Sequence, residues 1–414
     1  MTVNASPVQL NERVDILDVL RGFAILGILL DNIMGFSGWG FMTMAQREAL
    51  PTWPADGLLG ICELVFVNGK FYTLFSFLFG IGFSIILLRN EQRGINPLKI
   101  FYRRLFILLL IGAGHLLLLW EGDILLLYAL LGLLLPLFRK YSDKTLLILA
   151  GLLILSPILI DCINVLLHNK SGDYLESIAI GIDKKNGIPT DDGYAKYLYN
   201  PGSGWNEWRN WQESGWAYRY SYIIHSNRMP KVFGIFLIGF YAGRKMIYAQ
   251  LQNHINLLKK LRRWGFIIGI PTSIGLAIFE IDDRGIPNPW GLLDTFFYAV
   301  SVVPLSFAFT ASICLHWVKT NGNTWWRWLA PAGRMALTNY LMQTILCITI
   351  FYGVGIGLGG RIGPVLFYPI VIGIYILQVL YSNWWFRYFN YGPMEWIWRQ
   401  LTYGKQMPIV KVKE

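Results

Sequence analysis

The feature that most limits what this chain can fold into is a series of apolar runs, most of them near twenty residues, following one another from residue 14 to residue 387. A helix rises about 1.5 Å per residue, so roughly 20 residues cross a hydrocarbon core of about 30 Å. Ten such runs are legible, near 14–36, 57–88, 99–119, 124–138, 145–167, 229–248, 263–281, 291–318, 330–353 and 363–387. Composition points the same way, since 54% of the residues are apolar and only 15% are charged. That balance excludes a disordered chain and an ordinary water-soluble enzyme. The sequence therefore predicts an all-α, polytopic integral membrane protein with about ten transmembrane helices, within a range of nine to eleven. The first run follows Arg13 in the manner of a signal peptide, but Asp18, Arg21, Asp31 and Asn32 interrupt it and no small-residue cleavage pattern follows. It reads as a retained helix.

Lysine and arginine placement sets the expected orientation, because short, positively charged loops stay on the cytoplasmic side. Arg89, Arg93, Lys99, Arg103 and Arg104 follow the second run; Arg139, Lys140 and Lys144 follow the fourth. The same side collects Arg244, Lys245, Lys259, Lys260, Arg262 and Arg263, then Lys319, Arg327, Arg387, Arg399, Lys405, Lys411 and Lys413. Both termini are thus expected in the cytoplasm. The net charge of +11 is mostly this topological signal plus attraction to anionic lipid, and it gives no support to nucleic-acid binding.

The chain divides into a membrane half of five helices (1–167), an extracytoplasmic aromatic-rich loop (168–228), a second half of five helices (229–388) and a cytoplasmic amphipathic tail (389–414). Trp205, Trp208, Trp211 and Trp216 suit a segment lying in the membrane interface, or an aromatic platform for a sugar or lipid headgroup. Trp396, Trp398 and Arg399 in the tail read as interfacial anchors. Cys62, Cys162, Cys314 and Cys347 show no paired spacing, and the sequence contains no zinc pattern, nucleotide-type glycine loop or GxSxG elbow. No metal site is expected. No internal repeat of the kind common in secondary transporters is visible.

Polar residues at membrane depth are costly, which makes them functional candidates. In DILDVLRGFAILGILLDN, Asp18 and Arg21 share a helical face. Eleven residues on, Asn32 returns to the azimuth of Arg21 roughly 16 Å along the axis. A polar stripe is expected to run outward along this helix. The second run carries Glu63, Asn68, Lys70 and Tyr72, and its Asn68-Gly69-Lys70 step reads as a broken helix with Lys70 pairing to Glu63, Asp31 or Glu121. In GHLLLLWEGDILLLYALLG, His115 lies in the outer part of the third run, and Glu121 and Asp123 in the following turn can reach back to it. A carboxylate on one ring nitrogen makes the other a better general base; a plain interhelical hydrogen bond is the competing role. GRMALTNYLMQT places Arg334 and Asn339 on adjacent faces, with Arg334 suited either to a phosphate or to interfacial anchoring.

The segments RVDILDVLRGFAILGILLDN, KFYTLFSFLFGIGF, GHLLLLWEGDILLLYALLG, GRMALTNYLMQT and GPMEWIWRQLTYGK together resemble the YeiB-like family of bacterial inner-membrane proteins, whose C-terminal half is a domain of unknown function. That family is similar to a wider group of transmembrane acyltransferases, including heparan-glucosaminide N-acetyltransferase and the acyltransferase-3 proteins. The shared element is D-x-x-R-G, here Asp18 to Gly22, with a membrane histidine used in acyl transfer that maps to His115. The resemblance implies transfer of an acyl group, expected to be acetyl, from cytoplasmic acyl-CoA to a glycan, lipid headgroup or small molecule at the outer face of the bacterial inner membrane. In that reading His115, oriented by Asp123 or Glu121, is the base, and a covalent acyl-imidazole is a variant. Asp18, Arg21, Asn32 and Arg334 serve the donor along a hydrophilic corridor, and Asn68, Lys70, Tyr72 and Asn339 face substrate, with Asn32 or Lys70 stabilising the oxyanion. The alternative class is a transporter or flippase with His115 as proton relay. A homodimer is the expected assembly.

Overall fold

The structure is a computed structural model and describes residues 14–94, 96–189, 193–281 and 288–411. Arg13 and Lys413 of the charged residues named above lie outside the described residues. Seventeen α-helices follow in order among the described residues: α1 (Asp15–Phe36), α2 (Met44–Glu48), α3 (Ala55–Phe66), α4 (Lys70–Gln92), α5 (Pro97–Leu118), α6 (Leu125–Gly132), α7 (Asp143–Leu166), α8 (Asp173–Lys185), α9 (Tyr194–Tyr199), α10 (Trp205–His225), α11 (Arg228–Arg244), α12 (Ile255–Ile281), α13 (Gly291–Lys319), α14 (Ala330–Arg334), α15 (Ala336–Phe351), α16 (Pro364–Tyr388) and α17 (Pro393–Tyr403). A helix or helix pair stands over each of the ten expected runs. Among the described residues the only β-pairing is an isolated bridge between Phe389 and Val410.

Five segments are long and apolar enough to cross a membrane: Ala55–Gln92, Pro97–Leu118, Asp143–Leu166, Gly291–Lys319 and Pro364–Tyr388. Shorter apolar helices cover Leu125–Phe138 and Ala336–Phe351. The outward faces are apolar, as α7 illustrates with Leu152, Leu155, Leu159 and Leu166 all exposed. In water this pattern is unfavourable; against acyl chains it is the normal surface. The fold is that of an all-α integral membrane protein.

The break expected at Asn68-Gly69-Lys70 separates α3 from α4. Gly69 adopts φ +77°, and a Cβ there would come within 2.5 Å of the Tyr298 hydroxyl. The break frees backbone carbonyls at membrane depth, and Lys70 Nζ donates to one of them, Leu64 O, at 2.6 Å. A lysine thereby repairs the turn that its own neighbour interrupts.

Helices α8, α9 and α10 pack together as a layered cap over one end of the helix bundle. Helix α10 packs on α8 and on the end of α5. Trp211 is buried within this cap while Trp205 stays exposed, so the tryptophans divide between protein core and surface and do not lie together in one plane. The tail also packs on protein. Helix α17 packs on α5 and α15, with Trp398 Nε1 donating to Arg104 O at 3.0 Å and the Arg104 guanidinium over the indole at 4.0 Å. Glu395 reaches α15, where its carboxylate accepts from the Leu337 and Thr338 amides at 2.7 and 3.1 Å and from the Thr338 hydroxyl at 2.6 Å. A helix N-terminus leaves amides without intrahelical partners, and here the tail supplies the acceptor.

Candidate active site

The tight turn between α5 and α6 builds the centre of the site. Asp123 Oδ1 accepts the Leu126 amide at 2.8 Å, which fixes the carboxylate at the start of α6. Its other oxygen, Oδ2, lies 2.8 Å from His115 Nδ1. His115 and Asp123 are 1% and 2% exposed, so the pair is sealed from solvent. An ionised Asp123 accepts the Nδ1 proton, which leaves the lone pair on Nε2. On that side Thr344 Oγ1 of α15 stands 2.9 Å away and donates to it. Arg219 of α10 donates to the Asp123 backbone carbonyl at 2.8 Å, clamping the turn from the cap.

Glu121 does not join this group. Its carboxylate turns outward and accepts from Trp211 Nε1 at 3.2 Å and Gln212 Nε2 at 3.4 Å. The chain reverses sharply between the two acids, so only Asp123 faces back along α5. Of the two carboxylates expected to orient the imidazole, the structure brings one to it.

A cavity of about 310 Å³ reaches Ile124 and Tyr340, neighbours of the pair, without His115 or Asp123 in its lining. Its mouth carries Asp18, Arg21, Arg104, Arg334, Glu395 and Arg399, and its depth is lined by Ile25, Ile28, Phe75, Leu108, Ile124 and Tyr340 among others. Asp18 holds Arg21 at 2.6 Å. Arg104, Arg334 and Arg399 instead lie on aromatic rings, those of Trp398, Phe386 and Tyr391, and Arg334 Nε and Nη2 have no hydrogen-bond partner among the described residues. Arg334, held over the Phe386 ring with two unpartnered nitrogens, keeps donors for an anion, while Asp18 and Glu395 share the mouth with it.

The cavity differs from the expected corridor. Asp18, Arg21, Ile25 and Ile28 follow one another along a single face of α1, and the cavity ends one turn short of Asn32. Below the arginines its walls are mostly apolar. It stops at Tyr340, whose ring is 5.0 Å from the imidazole, so one aromatic side chain separates the cavity from His115. The glycine of D-x-x-R-G has a packing role, because a Cβ on Gly22 would come within 2.3 Å of Leu329 O. Tyr375 also donates to Gly22 O at 2.7 Å.

The remaining expected residues fall elsewhere. Asn339 is buried and donates to Ala332 O and Ser382 Oγ, at 3.0 and 3.2 Å, tying α14, α15 and α16 together; it does not line the cavity. Lys70 and Tyr72 belong to a second polar cluster, in which Asp31 is hydrogen-bonded to Glu63 and lies in the field of Arg228, Lys70 and Arg219. Arg228 stacks on Tyr72 at 4.6 Å and on Tyr222 at 5.0 Å, and Tyr298 donates to Tyr72 at 3.3 Å. Asn68 contributes its backbone to the break, donating its amide to Glu63 O. Thr344 and Tyr340 were not singled out from sequence, and Arg104 and Arg399 were read only as topological charge and as an interfacial anchor. The i, i+4 spacing of Tyr340 and Thr344 shows that they share a face, but only the contact with α5 reveals which face matters.

Fold and site together define an integral membrane protein with a buried His–Asp–Thr group beside an arginine-rimmed apolar cavity. Residues 242–405 match the family described as "Protein of unknown function (DUF418)". The chain is 34% identical to "Uncharacterized protein YxaH" of Bacillus subtilis (strain 168), covering 98% of each. It is 30% identical to "Uncharacterized protein YeiB" of Escherichia coli (strain K12), covering 96% of this chain and 98% of that one. The chain belongs to this YeiB-like family.

Proposed function

We propose that the protein is a membrane acyltransferase that takes an acyl group from a cytoplasmic acyl-CoA and passes it to an acceptor at the outer face of a bacterial inner membrane. The observation that carries this reading is the cavity: an anion-seeking mouth and an apolar shaft that stops one side chain from an oriented imidazole. The two unpartnered guanidinium nitrogens of Arg334 suit a phosphate of coenzyme A. The shaft suits the pantetheine arm and the acyl chain. The arginine face is cytoplasmic in this reading, in line with the lysine and arginine pattern.

His115 is the base. With Nδ1–H held by Asp123, Nε2 takes a proton from the attacking group and returns it to the leaving thiolate. The thioester reaches the imidazole past the Tyr340 ring, which stands between the cavity and His115. The test uses the full chain in lipid nanodiscs with acetyl-CoA and palmitoyl-CoA, reading release of free thiol. His115→Ala is expected to abolish release, a loss of at least about a hundredfold, with folding and abundance unchanged. Release at the wild-type rate by that variant rules the mechanism out. Movement of an unchanged solute by the wild type, without thiol release, favours a transporter.

A further inference from the structure

The Nε2 side of His115 is already occupied, and by a hydroxyl. Thr344 Oγ1 lies 2.9 Å from Nε2, while Asp123 Oδ2 lies 2.8 Å from Nδ1. Thr344 is 1% exposed, so all three side chains are withdrawn from solvent. The carboxylate fixes the imidazole tautomer, and the tautomer makes Thr344 the donor. Carboxylate, imidazole and hydroxyl in this order form a nucleophile activated by an oriented base. An acceptor hydroxyl approaching Nε2 directly has to displace Thr344 first.

A second hydroxyl lies one helical turn away. Tyr340 Oη is buried and faces the Ile124 backbone amide, with no acceptor for its own proton among the described residues, and Tyr340 lines the inner end of the cavity. Residues four apart share a helix face, so nucleophile and unsatisfied donor are carried side by side on α15.

We propose that Thr344 is the nucleophile of a two-step transfer, with an acyl-threonine ester as the intermediate. This rests on the acyltransferase reading above. In the first step Thr344 Oγ attacks the thioester carbonyl while its proton passes to His115 Nε2. The carbon–sulfur bond breaks, and the thiolate leaves with that proton. Tyr340 Oη donates to the carbonyl oxygen as charge develops on it. In the second step an acceptor hydroxyl or amine gives its proton to Nε2 and attacks the ester. Thr344 Oγ departs and takes the proton back. No other reactant is needed. Splitting the reaction in this way suits a site between two faces, since the coenzyme leaves inward before the acceptor arrives from outside.

The experiment incubates the full chain in nanodiscs with radiolabelled acetyl-CoA or palmitoyl-CoA and no acceptor, then measures thiol burst, intact mass and the labelled peptide. The wild type is expected to give one acyl group per chain, on Thr344, with a stoichiometric thiol burst. Thr344→Val keeps the side-chain shape and removes the hydroxyl; it should lose both signals, while Thr344→Ser restores them. Melting temperature and detergent elution of the valine variant establish that it is folded. An adduct on His115, or full acyl-CoA turnover by Thr344→Val, overturns the covalent step and leaves His115 as a direct base. Absence of thiol release and of label by the wild type without acceptor overturns the covalent step alone, since direct transfer needs an acceptor; absence of release when an extract of bacterial membrane lipids and glycans is added overturns the acyltransferase reading as well.

Discussion

His115 sits where neither nitrogen meets solvent, and its chemistry is decided by the two groups it touches. Burying an imidazole without partners is costly, so an inert histidine at this depth still needs hydrogen bonds. The arrangement goes beyond that need, because Asp123 is itself anchored by the Leu126 amide and so holds the ring in one tautomer. The arginines at the mouth act by charge and by geometry. Arg104 and Arg334 lie over Trp398 and Phe386, each at 4.0 Å, which positions the guanidinium planes while leaving donors available. Replacing either by glutamine is expected to raise KM for acyl-CoA about 10- to 150-fold, as about 1.5–3 kcal/mol for a lost charge-assisted bond implies, with kcat nearly unchanged. Equal loss in kcat and in kcat/KM instead places these residues in the chemical step. Arg21, Arg334 and His115 were legible in the sequence because charged groups stand out in apolar runs. Thr344 was not, because a threonine at membrane depth more often bonds its own helix; here the Tyr340 carbonyl, at 3.4 Å, is the weaker of its two partners.

At the scale of elements, the tail helix α17 is part of the site's wall. It contributes Glu395, Trp398 and Arg399 to the cavity mouth, and Glu395 caps α15, the helix that carries Tyr340 and Thr344. Removing that carboxylate strands two amides and a hydroxyl. Glu395→Ala is expected to destabilise the protein by about 1–3 kcal/mol, seen as a lower melting temperature and faster proteolysis of the tail. An unchanged melting temperature and protease pattern contradict this docking role. The amphipathic character of the tail was visible in sequence, but an amphipathic helix packs equally well on lipid or on protein. What decided the matter is the pair of contacts to α5 and α15, made by residues about 290 and 60 positions away. The cap repeats the lesson. Arg219 and Arg228 fall in a stretch read as aromatic and interfacial, yet one clamps the Asp123 turn and the other is stacked between tyrosines.

For the whole molecule, the arginine-rimmed cavity and the aromatic cap lie at opposite ends, and the proposed orientation assigns the first to the cytoplasm. Single cysteines test this on intact cells with a membrane-impermeant maleimide, in a background where Cys62 and Cys162 are replaced. Lys184→Cys in α8 is expected to label from outside, and Lys140→Cys before α7 only after permeabilisation; the reverse pattern inverts the topology. The sequence by itself determined the class of architecture, because period and length of apolar runs are set by the thickness of the bilayer and by helix geometry, both local properties. It also located the Gly69 break and the Asp18–Arg21 pair, which involve neighbours along the chain. Only the tertiary structure decided that Asp123 and not Glu121 meets the imidazole, that Thr344 closes its other side, and that the cavity ends at Tyr340. Those contacts join α5, α6 and α15 across up to 229 residues of chain, and no periodicity along one helix encodes which faces will meet.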